Sequence, residues 1–259
     1  MENFANFIVN YIEKTKIHGV KGWLPQLQEY KWRTNSRTQQ YSHGILTTRK
    51  FLKKTQEILN LPKNDDKWHR HCEDIRKWGG IIKEVPLPLA LDYKNSVNFL
   101  LSHNPPLNSD FTKVPICGKR IATASKIYYY SDPFRWTIYD SRVAYTIHQL
   151  LFEYAKTLEV LPISLFPNFP MCLPDSKTNR RNPVFYISRC SYTEKRSRAS
   201  FIWASYLHRL IARELNKTII KKPSHHLSVT PQWELPHVEM VFFVMGDRKW
   251  IDARDRNQR

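Results

Sequence analysis

Apolar residues recur three and four positions apart along much of this chain, the spacing that lines one face of an α-helix. Phe4, Phe7, Ile8, Tyr11 and Ile12 carry it, so residues 3–16 read as an amphipathic helix ending near Gly19. Trp203, Tyr206, Leu207, Leu210 and Ile211 repeat it within residues 201–215. Further helices are expected over 45–59, 66–78, 93–101, 120–130 and 141–157, with Gly79 and Gly80 or Pro133 marking breaks. The polar stretch 21–44, the run Val85-Pro86-Leu87-Pro88, the segment 103–110 and the proline-rich 160–182 read as connections. Residues 237–245 are rich in β-branched and aromatic side chains and read as a short strand or hairpin arm, followed by a charged, frayed tail over 247–259. The expected fold is therefore mainly α with a small β-rich C-terminal arm.

Charge narrows the partner. The 41 Lys and Arg against 23 Asp and Glu leave +18 over 259 residues, the footprint of a polyanion binder, with nucleic acid ahead of a membrane surface. Aromatic content of 13% argues against a disordered basic tail, because such tails lack the apolar groups that offset ordering entropy. No run approaches the ~18 apolar residues of a membrane span. The start carries Glu2 and no small-residue cleavage site, so a cytoplasmic protein is expected, without membrane attachment and as a monomer. Cys72, Cys117, Cys172 and Cys190 form no Cys-x-x-Cys pair, so neither a zinc ribbon nor an iron–sulfur loop is written here, and neither metal nor cofactor is expected.

The stretch from Val114 to Ile147 carries the chemistry. A proline-led turn closes on Gly118, a helix opens with Lys119 and Arg120, Asp132-Pro133 breaks it, and Asp140 precedes a new helix. A glycine turn at a helix start leaves backbone N–H groups free to meet a phosphate, and the helix dipole favours that anion. Asp140, followed by Ser141, stands where a helix N-cap belongs, and capping alone would account for it locally.

Order and spacing add a second meaning. The segment resembles the helix-hairpin-helix superfamily of DNA glycosylases, in which a Leu-Pro-Gly-x-Gly-x-Lys-x-Ala hairpin is followed by an apolar pair and a catalytic aspartate opening the next helix. Here residues 114–122 fill the hairpin, and Ile138 and Tyr139 precede Asp140, twenty positions beyond Arg120. Ser125, Lys126 and the run 138–143 also look like a compact bacterial group with an 8-oxoguanine-glycosylase fold. Some of its relatives act in phage defence by removing glucosylated hydroxymethylcytosine. Ile116 replaces the first hairpin glycine, and the iron–sulfur cysteines of endonuclease III have no counterpart.

The resemblance implies a two-lobed fold, with one helical lobe over 20–133 that contains the hairpin at 114–130. A second lobe comprises 1–19 and 134–216 and begins its helix with the catalytic aspartate, and 217–259 forms the C-terminal arm and tail. It implies an enzyme that extrudes a modified base from double-stranded DNA and breaks its glycosidic bond, with Asp140 stabilising the cationic sugar. Gly118, Lys119, Arg120, Ser141 and Arg142 would hold DNA. The basic stretch 177–198, with Arg180 and Arg181 among aromatic residues, reads either as a phosphate-tracking surface or as a solvated loop.

Bifunctional relatives use a lysine where this chain has Arg120, and a guanidinium stays protonated, so an enzyme that hydrolyses without nicking the strand is expected. Lys126 is a second catalytic candidate, weighed against an ordinary solvated helix lysine. His225 and His226 lack partners at ligand spacing and read as surface residues. Excision of oxidised purines in repair, a non-catalytic hairpin module that only grips DNA, and a nuclease are the competing readings. The nuclease is disfavoured because no Asp, Glu and His cluster for two metals is apparent.

Overall fold

The computed structural model describes residues 1–17, 19–33, 38–103, 114–161, 193–221 and 232–247. The elements run α1 (Glu2–Lys14), β1 (Lys16–Ile17), β2 (Val20–Lys21), α2 (Trp23–Gln28), β3 (Lys31–Arg33), β4 (Thr38–Gln40), α3 (Tyr41–Leu59), α4 (Asp65–Trp78) and α5 (Leu87–His103). After them come α6 (Ile121–Tyr129), α7 (Ser141–Thr157), α8 (Glu194–Lys221) and α9 (Leu235–Asp247). The described chain is mainly helical. Its strands form two antiparallel ribbons, β1 with β2 (Ile17 opposite Val20) and β3 with β4 (Trp32 opposite Gln39).

The apolar spacing explains which faces are buried. Phe4, Ile8 and Ile12 turn inward from α1, and Phe4 meets Tyr154 of α7 and Trp203 of α8. Asp65 and Asp66 open α4 and Arg76 and Lys77 close it, charges that complement the helix dipole at both ends. Trp68 buries its ring and donates its indole N–H to the Ala90 carbonyl at 2.8 Å, tying α4 to α5. Contacts gather α1, α2, α7, α8 and α9 on one side and α3 to α6 on the other, and α6 reaches across to α8. One cluster of buried apolar residues runs through both groups.

Three parts of the fold depart from the sequence expectation. The connection expected over 85–88 stops at Pro86, and Leu87 and Pro88 open α5. The polar stretch 21–44 holds α2 and strands as well as connection. Trp23 and Leu27 are buried, and the Gln26 amide donates to the carbonyls of Ile17 and Val20. The C-terminal segment is a helix, α9, and not a β-rich arm. Val238, Met240, Val241, Phe242, Phe243, Val244 and Met245 are all buried, so the helix has no polar face from which a period of 3.6 could be read. Pro236 stands in its first turn, where proline costs no hydrogen bond. Of the frayed tail expected over 247–259, Asp247 instead ends α9 and the rest lies outside the described residues.

Helix α9 crosses the start of α7. A Cβ on Gly246 would lie 2.2 Å from the Arg142 carbonyl oxygen, so only glycine permits the approach. One turn back, Thr146 of α7 donates its hydroxyl to the Phe242 carbonyl at 2.8 Å. The polar end of α7 is thereby brought against a helix that is otherwise hydrophobic.

Candidate active site

An extended segment, residues 137–140, carries Asp140 to the start of α7. It pairs with no strand, so its backbone groups need other partners. Buried side chains supply them. The Thr137 N–H donates to Ser205 Oγ of α8 at 3.1 Å, and the Thr137 hydroxyl meets His208 Nδ1 at 2.8 Å. The Tyr139 N–H donates to Ser125 Oγ of α6 at 3.0 Å, and that hydroxyl reaches back to the Tyr139 carbonyl at 3.4 Å. Burial holds His208 neutral, with its pKa pushed down to about 3. Position 140 is therefore fixed by two helices before its own helix begins.

The two oxygens of Asp140 do different work. Oδ1 caps α7, accepting from the N–H groups of Arg142 at 3.0 Å and Val143 at 3.2 Å, as the local sequence predicts. Oδ2 faces cations. Lys126 Nζ stands 3.6 Å away and an Arg142 guanidinium nitrogen 3.7 Å away. The Lys126 and Asp140 side chains are 3% and 9% exposed, whereas Arg142 is 40% exposed. A solvated helix lysine is thus excluded for Lys126, which lies in the interior and also donates to the Ala122 carbonyl at 3.2 Å. Arg142 leans outward with its guanidinium 4.6 Å from the Phe243 ring centroid, a cation–π contact between α7 and α9. Ser141, half-buried, is the first residue of α7.

The hairpin residues stand apart from this pair. Gly118 N–H donates to the Glu194 carboxylate at 3.2 Å, and a Cβ at Gly118 would lie 2.3 Å from the Glu194 carbonyl oxygen. Glycine here admits the start of α8. The left-handed turn falls two residues later, at Arg120 with φ 49°, and α6 begins at Ile121. The Arg120 guanidinium binds the Glu84 carbonyl, while Lys119 is exposed with its ammonium 3.6 Å from Asp92. Arg180, Arg181, His225 and His226 lie outside the described residues.

A third ionisable group belongs to the pair and was missed in the sequence. Glu239 of α9 is 3% exposed, and burial first, then the Asp140 charge, push its pKa up to about 8, against the opposing pull of Lys126. Tyr30, which follows α2, and Tyr129 of α6 also feel the Glu239 charge. Burial raises the pKa of both phenols. Tyr30 stands edge-on to Phe243 with centroids 5.7 Å apart. The available signal was a lone carboxylate inside an apolar run.

Among the described residues no group of three or more His, Cys, Asp or Glu is placed to hold a metal, and no helix is long and apolar enough to cross a membrane. Among known proteins, no family model, curated protein or solved structure matches this chain.

Proposed function

We propose that the protein is a DNA N-glycosylase that extrudes a modified base from duplex DNA and hydrolyses its glycosidic bond at Asp140. The observation that carries this reading is the buried contact of Asp140 with Lys126, 3.6 Å apart, between the helix that the hairpin opens and the cap of the next one. As the bond to the base breaks, the sugar becomes oxocarbenium-like, and a fixed carboxylate stabilises it more than bulk water does. The target must leave the stack to reach such a site, and the +18 charge suits the binding of the duplex. A module that only grips phosphate would need Asp140 for its cap bonds alone, not for the buried contact of Oδ2 with Lys126.

Glucosylated hydroxymethylcytosine of phage DNA is the proposed target, with oxidised purines the alternative. Incubation of the protein with duplexes carrying each base, in chelator, and mass spectrometry of the released bases tests both. Free base from at least one duplex, with affinity falling steeply as salt rises, is expected. No release from any duplex contradicts the assignment.

The Lys126 amine supports a second reading for the product. Arg120 has no part in the buried pair, but Lys126 puts an amine beside the carboxylate, where a Schiff base to the sugar and strand cleavage become feasible. Hydrolysis alone leaves a full-length strand that breaks only after alkali. A borohydride-trapped protein–DNA adduct, lost in Lys126→Ala, establishes the lyase instead.

A further inference from the structure

We propose that Glu239 is the proton donor of this site, delivering a proton to the departing base while Asp140 stays charged to stabilise the sugar. The inference rests on the glycosylase reading and starts from a mismatch of partners. Glu239 is buried in the middle of α9, where neighbouring backbone N–H groups are used within the helix, and among the described residues its carboxyl has no hydrogen bond or ion pair. Asp140 has two N–H donors and two cations within 3.7 Å. Among the described residues Lys126 is the one buried cation whose charge acts on Glu239, and it stands 3.6 Å from Asp140, so two carboxylates would leave excess negative charge in the interior. The lower-energy arrangement has one carboxylate, one ammonium and one neutral acid. Glu239, lacking donors, takes the proton.

The other groups around Glu239 leave that assignment intact. Tyr30, Tyr129 and Tyr130 are neutral phenols, with burial raising each pKa, and Arg142 is turned toward Asp140 and the Phe243 ring. The pKa near 8 means that Glu239 is mostly protonated at neutral pH and within reach of losing its proton in a reaction. In the step, the bond from C1′ to the base nitrogen breaks with its electron pair going to the base, and the Glu239 proton passes to the base. Water then adds to C1′, its proton returns to the Glu239 carboxylate, and no redox partner is required.

Glu239→Gln keeps the shape and a hydrogen-bond donor but carries no transferable proton. Single-turnover base release in the variant is expected to fall about 10²- to 10⁴-fold with duplex affinity unchanged. The deficit should shrink for bases that leave readily as anions, which a merely structural role would not produce. Wild-type release should decline as pH rises through about 8, and the variant should lose that limb. Infrared titration of wild type with isotope-labelled glutamate is independent of how the variant folds, and should show one glutamic acid still protonated at neutral pH. A variant as fast as wild type across pH and leaving groups, or a spectrum with every glutamate ionised at neutral pH, overturns the proposal. No release by wild type from any duplex would instead refute the glycosylase reading.

Discussion

Asp140 and Glu239 are two carboxyls buried around one lysine, and their backbones treat them oppositely. Asp140 stands at a helix start, where N–H groups have no partner within the helix and meet its Oδ1. Glu239 stands buried inside a helix whose donors are already used. Residues of one chemical type, sharing one cation, are thereby fitted to different tasks by their position along a helix. Burial raises the pKa of the Glu239 carboxyl to about 8, so that one is mostly a neutral acid at neutral pH.

The largest consequence is a pH-dependent stability that belongs to Glu239. Its pKa is about 8 in the folded chain against 4.5 for an unburied glutamate, so folding retains a proton between these values. The corresponding stability is fully present below pH 4.5 and is lost as pH rises through 8. In denaturant melts the stability difference between wild type and Glu239→Gln should therefore change by on the order of 4 kcal/mol across that window, favouring the variant at high pH. A constant difference would break the contrast between the two carboxyls.

Removing the shared cation comes next. Lys126→Met leaves Asp140 its cap bonds and Arg142 but leaves Glu239 with no nearby ammonium, and unfolding free energy should drop by about 3 kcal/mol at neutral pH. Because Glu239 is mostly a neutral acid there, the loss at neutral pH should be nearly the same in the Glu239→Gln background, and larger in wild type only above pH 8, where the glutamate ionises. Equal losses in both backgrounds above pH 8 as well would mean that Lys126 answers to Asp140 alone.

A smaller effect sharpens the Asp140 side. Ser125→Ala leaves the buried Tyr139 N–H without its partner, which should cost about 1–3 kcal/mol and loosen the segment that delivers Asp140. Base release should fall in this variant while the pH dependence assigned to Glu239 stays. Unchanged release would show that the clasp between α6 and residue 139 does not position the carboxylate.

How much of this is legible in the sequence depends on how local the cause is. Asp140 as a cap, and α7 over 141–157, follow from residues within a few positions, as does the break at Gly79. Lys126 was readable as a candidate, but its burial depends on α4 and the residue-139 segment, which no spacing encodes. Glu239 was not readable, because α9 is apolar all round and its β-branched and aromatic side chains resemble a strand. The close approach at Gly246 that brings α9 to Arg142 is likewise a long-range fact. Gly118 reads in the sequence as a turn whose N–H groups face phosphate, but its N–H meets the Glu194 carboxylate and the left-handed residue is Arg120.

The central claim is that the Asp140 charge drives bond breakage, and Asp140→Asn tests it most directly. The amide oxygen can still cap α7, so the variant should fold and bind duplex as wild type does, with its negative charge gone. Single-turnover release of free base, measured by mass spectrometry beside duplex affinity, is expected to fall by about three orders of magnitude or more with affinity retained. A variant that binds and releases base at the wild-type rate would contradict the account.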